Sequence, residues 1–250
     1  MSKTFVLIHG TWHAGWAWQG VVDCLSTKGH RAYAPTLAGH GPGAIRVGIT
    51  HRDCVASVVT YIQERRLSNV ILVGHSFGGT IVQKVVEEIP GQLARIVFLN
   101  ALILKDQQCV FDVLPDVFLE ALKPKNGGDP AAQSSNNSMH TLAPAPWETW
   151  RDNFIQDAPE RTARSTWEQL SPEPNQVNLD SLDLKRFYAT AVPKSFIFCR
   201  QDRAMPPGYF HPGMSSRLGA CKLVEMDGGH EVMFSRPTEL ADKIIEASSE

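Results

Sequence analysis

The chain is poor in the features that mark several function classes. Its five cysteines, Cys24, Cys54, Cys109, Cys199 and Cys221, are odd in number, widely spaced and without a C-x-x-C pair. That pattern speaks against a disulfide framework and a cysteine zinc site. No apolar run reaches the roughly 20 residues of a membrane-spanning helix. The opening apolar run, residues 5–8, is shorter than the h-region of a signal peptide. A reducing, cytoplasmic setting is therefore expected. Charge of one sign is also lacking, with 24 basic against 26 acidic residues and a net charge of −2. Neither nucleic acid nor an anionic membrane finds an electrostatic footprint in that balance. The glycine-rich stretch Gly39-His40-Gly41-Pro42-Gly43 contains no G-K-[ST] and no G-x-G-x-x-G, so no phosphate cradle is expected.

What is present describes a well-buried globular protein. The chain has 250 residues, 43% hydrophobic and 20% charged, which is long enough for a substantial core and too apolar for general disorder. Short apolar runs at 5–8, 31–34, 70–73, 95–99, 195–199 and 222–225 read as strands. Between them, helical spacing appears at 15–28, 50–66 and 80–89, and again at 238–247. Strands apolar on both faces, alternating with helices, predict an α/β fold with a parallel sheet covered on two sides. The alternation breaks at 104–190. Strand-like runs vanish there, Pro, Asn, Ser and Gly cluster at 123–138, and helix fragments carry Trp147, Trp150, Phe154 and Trp167. A loop of that length is uncommon without a role. The division is thus a core of 1–103 with 191–250, and a helical cap inserted at 104–190 over one sheet edge.

The strongest chemical signal is Gly74-His75-Ser76-Phe77-Gly78, followed by Gly79. It fits the G-x-S-x-G nucleophile elbow, and it lies between a strand and a helix as that turn requires. A serine hydroxyl needs a base, and the base needs an orienting carboxylate. In this architecture the order is Ser, then acid, then His. His230, in Gly228-Gly229-His230 after the last strand, is the expected base. Asp202, directly after the strand at 195–199, is the expected acid, with Asp106 after the fourth strand left as an alternative. Asp227 is assigned to stabilising the His230 loop. The backbone N–H groups of Phe77 and Thr11 are the expected oxyanion donors.

The remaining histidines carry less. His40, His51 and His140 lie in polar stretches and His30 at a turn. His9, His13 and His75 match no usual metal-ligand spacing and have no acidic partner nearby, so neither metal nor cofactor is expected. Trp12, His75, Trp147, Trp150, Met205 and Met233 are the expected substrate contacts. Phe111, Leu114, Phe118 and Phe154 join the cap residues expected to close the pocket. An apolar or aromatic acyl or alcohol group would suit such a lining.

Taken together, these pieces resemble the α/β-hydrolase superfamily. Within it they are most similar to the small single-cap group of plant methylesterases, hydroxynitrile lyases and related bacterial esterases. The resemblance is carried by Phe5-Val-Leu-Ile-His-Gly-Thr-Trp-His-Ala-Gly-Trp-Ala-Trp18, by Gly74 to Gly79 and by Gly228 to Glu231. It spans roughly residues 4–102 and 192–247 and leaves out the cap. It implies a six-stranded, mostly parallel sheet starting near the N-terminus, without a leading hairpin. Hydroxynitrile lyases of this type have threonine after the first-strand histidine and lysine after the catalytic histidine. Here Gly10 and Glu231 stand in those places. The lysine would stabilise a departing cyanide and a glutamate would repel it, so hydrolysis is expected.

The expected reaction is hydrolysis of a small carboxylic ester, or of a carbamate or amide, through an acyl-enzyme at Ser76. Two other readings stay open. One is a lyase or cofactor-free oxygenase using His230 and Asp202 on the same scaffold. The other is a small-molecule receptor with a vestigial triad. The expected partner is a small ester-like molecule, with no nucleic acid and no membrane, and a homodimer is left open.

Overall fold

The computed structural model describes residues 2–121 and 141–249. Eight strands occur among them: β1 (Thr4–Ile8), β2 (Arg31–Tyr33), β3 (Val70–His75), β4 (Leu93–Leu99), β5 (Thr141–Leu142), β6 (Glu173–Pro174), β7 (Lys194–Cys199) and β8 (Lys222–Met226). All but β5 and β6 join one sheet in the order β2-β1-β3-β4-β7-β8. Every pairing in it is parallel, so the expected mostly parallel sheet is wholly parallel. Each expected strand run is found in it.

The amino-acid pattern explains why both faces are covered. Successive side chains of a strand point to opposite faces. Val6, Ile8, Leu72, Ile96 and Phe98 pack into one buried cluster with α2 (His51–Glu64) and α3 (Gly78–Glu88). Phe5, Leu7, Ile71, Val73 and Val97 pack into the other, with α1 (Gln19–Thr27) and the C-terminal helix Pro237–Ala247. Alternate residues of the same apolar runs thus serve two cores. α2 begins at a capping box, with Thr50 Oγ1 accepting from Asp53 N–H while the Asp53 carboxylate accepts from Thr50 N–H at 2.9 Å.

The segment 104–190 differs from the expectation in two ways. It contains a two-residue antiparallel ladder, β5 with β6, where no strand signal was visible. Two residues are too few to show a period. Moreover, Val177, Leu182, Leu184 and Phe187 belong to the buried cluster of α2 and α3. These side chains, like Leu104 and Val110 at the start of the segment, thus pack with the core. Ala145, Trp150, Phe154, Ile155 and Ala163 form a separate cluster with Trp12 and Ala204 at the carboxyl edge of the sheet. The Pro/Asn/Ser/Gly cluster at 123–138, and His140, lie outside the described residues. Among the described residues, no helix is long and apolar enough to cross a membrane.

Phe98 on central β4 is fully buried, with its ring edge-on to Phe187 at 6.3 Å. Phe98→Ala should lower the unfolding free energy by about 3–5 kcal/mol. Urea unfolding followed by tryptophan fluorescence checks this through a fall in midpoint.

Candidate active site

A parallel sheet delivers the carboxyl ends of all its strands to one edge. At that edge the turn after β3 carries Ser76, whose backbone sits at φ +52°. A non-glycine residue there is strained by roughly 1–3 kcal/mol and persists only when its surroundings dictate it. Here they do. Ser76 N–H donates to Leu99 O at 3.2 Å, and Ser76 O accepts from Leu102 N–H and Gly79 N–H, each at 3.0 Å. A Cβ on Gly78 would lie 2.6 Å from His9 O, and one on Gly74 2.6 Å from Gly78 O. The glycines of the motif are thus required by close backbone approach.

The loops after β7 and β8 are laced together. Gln201 N–H donates to Gly228 O at 3.1 Å, and Gly228 N–H donates to Gln201 Oε1 at 2.9 Å. This brings Asp202 and His230 into contact. His230 Nδ1 donates to Asp202 Oδ2 at 2.7 Å, and His230 Nε2 lies 3.1 Å from Ser76 Oγ. Asp202 Oδ1 is itself fixed by Ala204 N–H at 2.8 Å. Burial disfavours a charged His230, yet the charge and hydrogen bond of Asp202 outweigh it, so His230 titrates above its usual range. The alternative acid is elsewhere: Asp106 accepts from Leu184 N–H at 2.8 Å. Asp227 pairs with Arg200 at 2.8 Å on the surface.

Thr11 and Trp12 share an enclosed chamber with Ser76, Phe118, Phe154, Met205, His230 and Glu231. Its lining shares Phe118, Phe154 and Met205 with an adjoining cleft of about 410 Å³. A wider cleft of about 610 Å³ lies between α2, α3 and residues 180–183, and none of these site residues lines it. Phe77 caps α3, so its N–H is among those a helix leaves without an intrahelical acceptor. The peptides around Thr11 are held on both sides. His9 Nδ1 donates to Gly10 O at 2.9 Å, the carbonyl of the peptide that carries Thr11 N–H. His13 Nδ1 donates to Thr11 O at 2.7 Å. Burial holds His9 well below its usual range and takes His13 down to about 4, so both rings are neutral at pH 7.

Several expected substrate contacts lie outside this chamber. His75 is buried behind His230, donating from Nε2 to His230 O at 3.1 Å. Trp147 turns away to stack under the Arg164 guanidinium at 3.7 Å and meets Trp167 edge-on. Trp150 is fully buried, stacked on Phe154, with Nε1 donating to Ala163 O at 3.2 Å. Met233 sits in the core with Trp18 and Leu240 on the far face of the sheet. Neither Phe111 nor Leu114 lines the chamber. In each case sequence spacing gave the neighbourhood but not the side-chain direction. Trp12 and Met205 do line it, as do Phe118 and Phe154.

Glu231 also requires a correction. It is buried against the chamber, 3.5 Å from His13 Nε2. Burial pushes its carboxyl up to about 8, with the His230 charge opposing and those of Asp202 and Asp157 assisting. At neutral pH it is a neutral acid and repels no anion, although it cannot supply the cation a lysine would. One metal-ligand grouping exists among the described residues, His75, His230 and Glu231, with ligand atoms within 4.8 Å. In that grouping His75 Nε2 bonds His230 O, and the two His230 nitrogens face Asp202 and Ser76. Gly10 has a steric reason as well, since a Cβ there would lie 3.0 Å from His75 Nδ1.

The sequence matches the alpha/beta hydrolase family over residues 5–243. The chain belongs to that family. It is 27% identical over 244 residues to the carbendazim hydrolyzing esterase of Nocardioides sp. (strain SG-4G), covering 96% of this chain and 97% of that one. It is also 27% identical to the alpha-hydroxynitrile lyase of Arabidopsis thaliana, covering 96% and 95%. A solved extracellular alpha/beta-hydrolase from a Paenibacillus species superimposes with a TM-score of 0.89 at 33% identity, over 99% of this chain and 100% of that one. This alpha/beta hydrolase thus has esterase and lyase relatives.

Sequence reasoning missed Glu173, Asp157 and the role of Glu231. Asp157 Oδ2 accepts from Gly229 N–H at 2.9 Å and holds the His230 loop from the inserted segment. No local pattern announces an acidic residue that folding buries.

Glu231 gives a stability prediction. Its carboxyl titrates near 4.5 unfolded and about 8 folded. Between those values the folded state holds the extra proton, so rising pH weakens folding. Glu231→Gln should gain stability relative to wild type as pH rises from about 4.5 to 8, by a few kcal/mol at most, then level off. Thermal melts at pH 5 and pH 8.5 measure it; a gap that does not change with pH contradicts the assignment.

Proposed function

We propose that this alpha/beta hydrolase cleaves a small carboxylic ester, or a related carbamate or amide, by nucleophilic catalysis at Ser76. One observation carries the reading: Ser76 Oγ, His230 Nε2 and Nδ1, and Asp202 Oδ2 form a continuous chain of 3.1 and 2.7 Å. Relatives named as esterases and hydrolases support the same chemistry.

Ser76 Oγ attacks the ester carbonyl while His230 Nε2 takes its proton. Asp202 keeps the Nδ1–H tautomer and stabilises the imidazolium. The N–H groups of Thr11 and Phe77 hold the oxyanion of the tetrahedral intermediate. His230 then protonates the leaving alcohol. Water, activated by His230, attacks the acyl-enzyme and releases the acid and Ser76. Every step uses protein groups and water alone.

The substrate is a small molecule with an apolar or aromatic group, a reading supported by Trp12, Phe118, Phe154 and Met205 around Ser76. Residues 104–190 act as the cap. A reducing, cytoplasmic setting goes with this reading, on the strength of five free cysteines, Cys54 and Cys199 among them buried. The lyase reading is the weaker one, because Glu231 offers no positive charge to a departing cyanide.

Initial rates on p-nitrophenyl esters from acetate to octanoate test the reaction. Ser76→Ala should lower turnover by roughly 10⁶-fold; substantial residual activity defeats the covalent mechanism. Asp202→Asn should lower it by about 10⁴-fold. Because His230 must be neutral to act as base, activity should rise with pH through its titration, with the midpoint above the usual 6.5. A pH–rate profile of kcat/KM locates that limb.

A further inference from the structure

The two peptides that flank Thr11 are not held by the catalytic loops alone. The peptide joining Thr11 to Trp12 is fixed at its carbonyl by His13 and at its N–H by a residue of the inserted segment. Trp12 N–H donates to Glu173 Oε2 at 3.1 Å. Next to it, Trp12 O accepts from Ser171 N–H at 3.0 Å. Trp12 lies between these bonds at φ +66°, a conformation that a bulky side chain keeps only under external constraint.

Glu173 is fully buried on β6. Its Oε1 accepts from Asn178 Nδ2 at 2.9 Å, which fixes the carboxylate plane. Its Oε2 lies 3.5 Å from His40 Nε2, with both side chains inaccessible to water. The His40 ring in turn stacks on Phe77, 6.1 Å between centroids and 22° between planes. One buried carboxylate of the inserted segment therefore touches the neighbours of both backbone donors, Thr11 through Trp12 and Phe77 through His40. A buried acid is costly unless bonded in this way, and a structural role alone does not require it to meet the oxyanion loop.

We infer that Glu173 is a positioning residue for the hydrolysis: by holding Trp12 N–H it sets the direction of Thr11 N–H toward the oxyanion. This rests on the ester-hydrolase reading above. Oxyanion donors act on the tetrahedral state and only weakly on the bound ester. Displacing one donor therefore lowers kcat and leaves KM nearly unchanged.

The test compares wild type with Glu173→Asp, which keeps the charge but withdraws the acceptor, and with Glu173→Gln, which keeps an acceptor at full reach. Glu173→Ala is the more drastic version. Readouts are kcat and KM on the best p-nitrophenyl ester, inhibition by an aryl trifluoromethyl ketone, whose serine adduct carries an oxyanion, and the melting temperature. Ser76→Ala is run alongside. Glu173→Asp is expected to lower kcat by about 10- to 100-fold, below the full loss of a donor. KM should stay within about 2-fold and ketone affinity should fall in step with kcat. Glu173→Gln should recover most of both, since Asn178 can turn its amide oxygen toward the new NH₂ group. Unchanged kcat and ketone affinity in folded Glu173→Asp overturns the role of Glu173 and leaves the esterase reading intact. A fall in kcat with unchanged ketone affinity also overturns it. Wild-type activity that persists in Ser76→Ala, or no wild-type turnover at all, overturns the esterase reading and this inference with it.

Discussion

The common direction of the six sheet strands is the constraint from which the site follows. Because every pairing is parallel, the chain leaves β1, β3, β7 and β8 at the same edge. Residues far apart in sequence, Thr11, Ser76, Asp202 and His230, therefore meet without any long excursion. A parallel sheet needs helices on both faces to connect its strands and bury them. The two apolar clusters on either side are the consequence, and they hold the edge rigid enough for a strained serine.

At that edge the geometry is kept by buried polar groups. Neutral His9 and His13 bond the carbonyls on either side of Thr11. His75 bonds the carbonyl of His230. Burial opposes charge on these three rings. His230 is the exception, because Asp202 lies against it. Desolvation with a carbonyl to bond and desolvation with the Asp202 carboxylate at 2.7 Å thus give chemically distinct imidazoles within one cluster. The inert ones orient peptides, and the paired one is able to move a proton.

The inserted segment contributes more than a roof. Phe118 and Phe154 reach the chamber, Asp157 steadies the His230 loop, and Glu173 accepts from Trp12 N–H beside Thr11. Its tryptophans hold the segment together. Trp147 and Trp150 bond and stack within it, which is why large aromatics, counted in sequence, overstate the lining of the chamber beside Ser76.

The sequence by itself determined the fold and the family, and it named Ser76, Asp202 and His230 as candidates that the folded chain brings into one hydrogen-bonded row. Apolar runs with strand length, separated by helical spacing, name the parallel sheet. The glycines around Ser76 and the placement of Asp202 and His230 after strands are local signals, written in residues close in sequence. Between Asp106 and Asp202, only the folded chain decides, because the choice depends on which loop lies beside His230. Tertiary structure also decided the lining of the chamber, the burial that neutralises Glu231, and the place of Glu173. Each depends on the direction of one side chain and on the water it loses, and both are set by tertiary neighbours, such as Trp12 for Glu173 and His13 for Glu231.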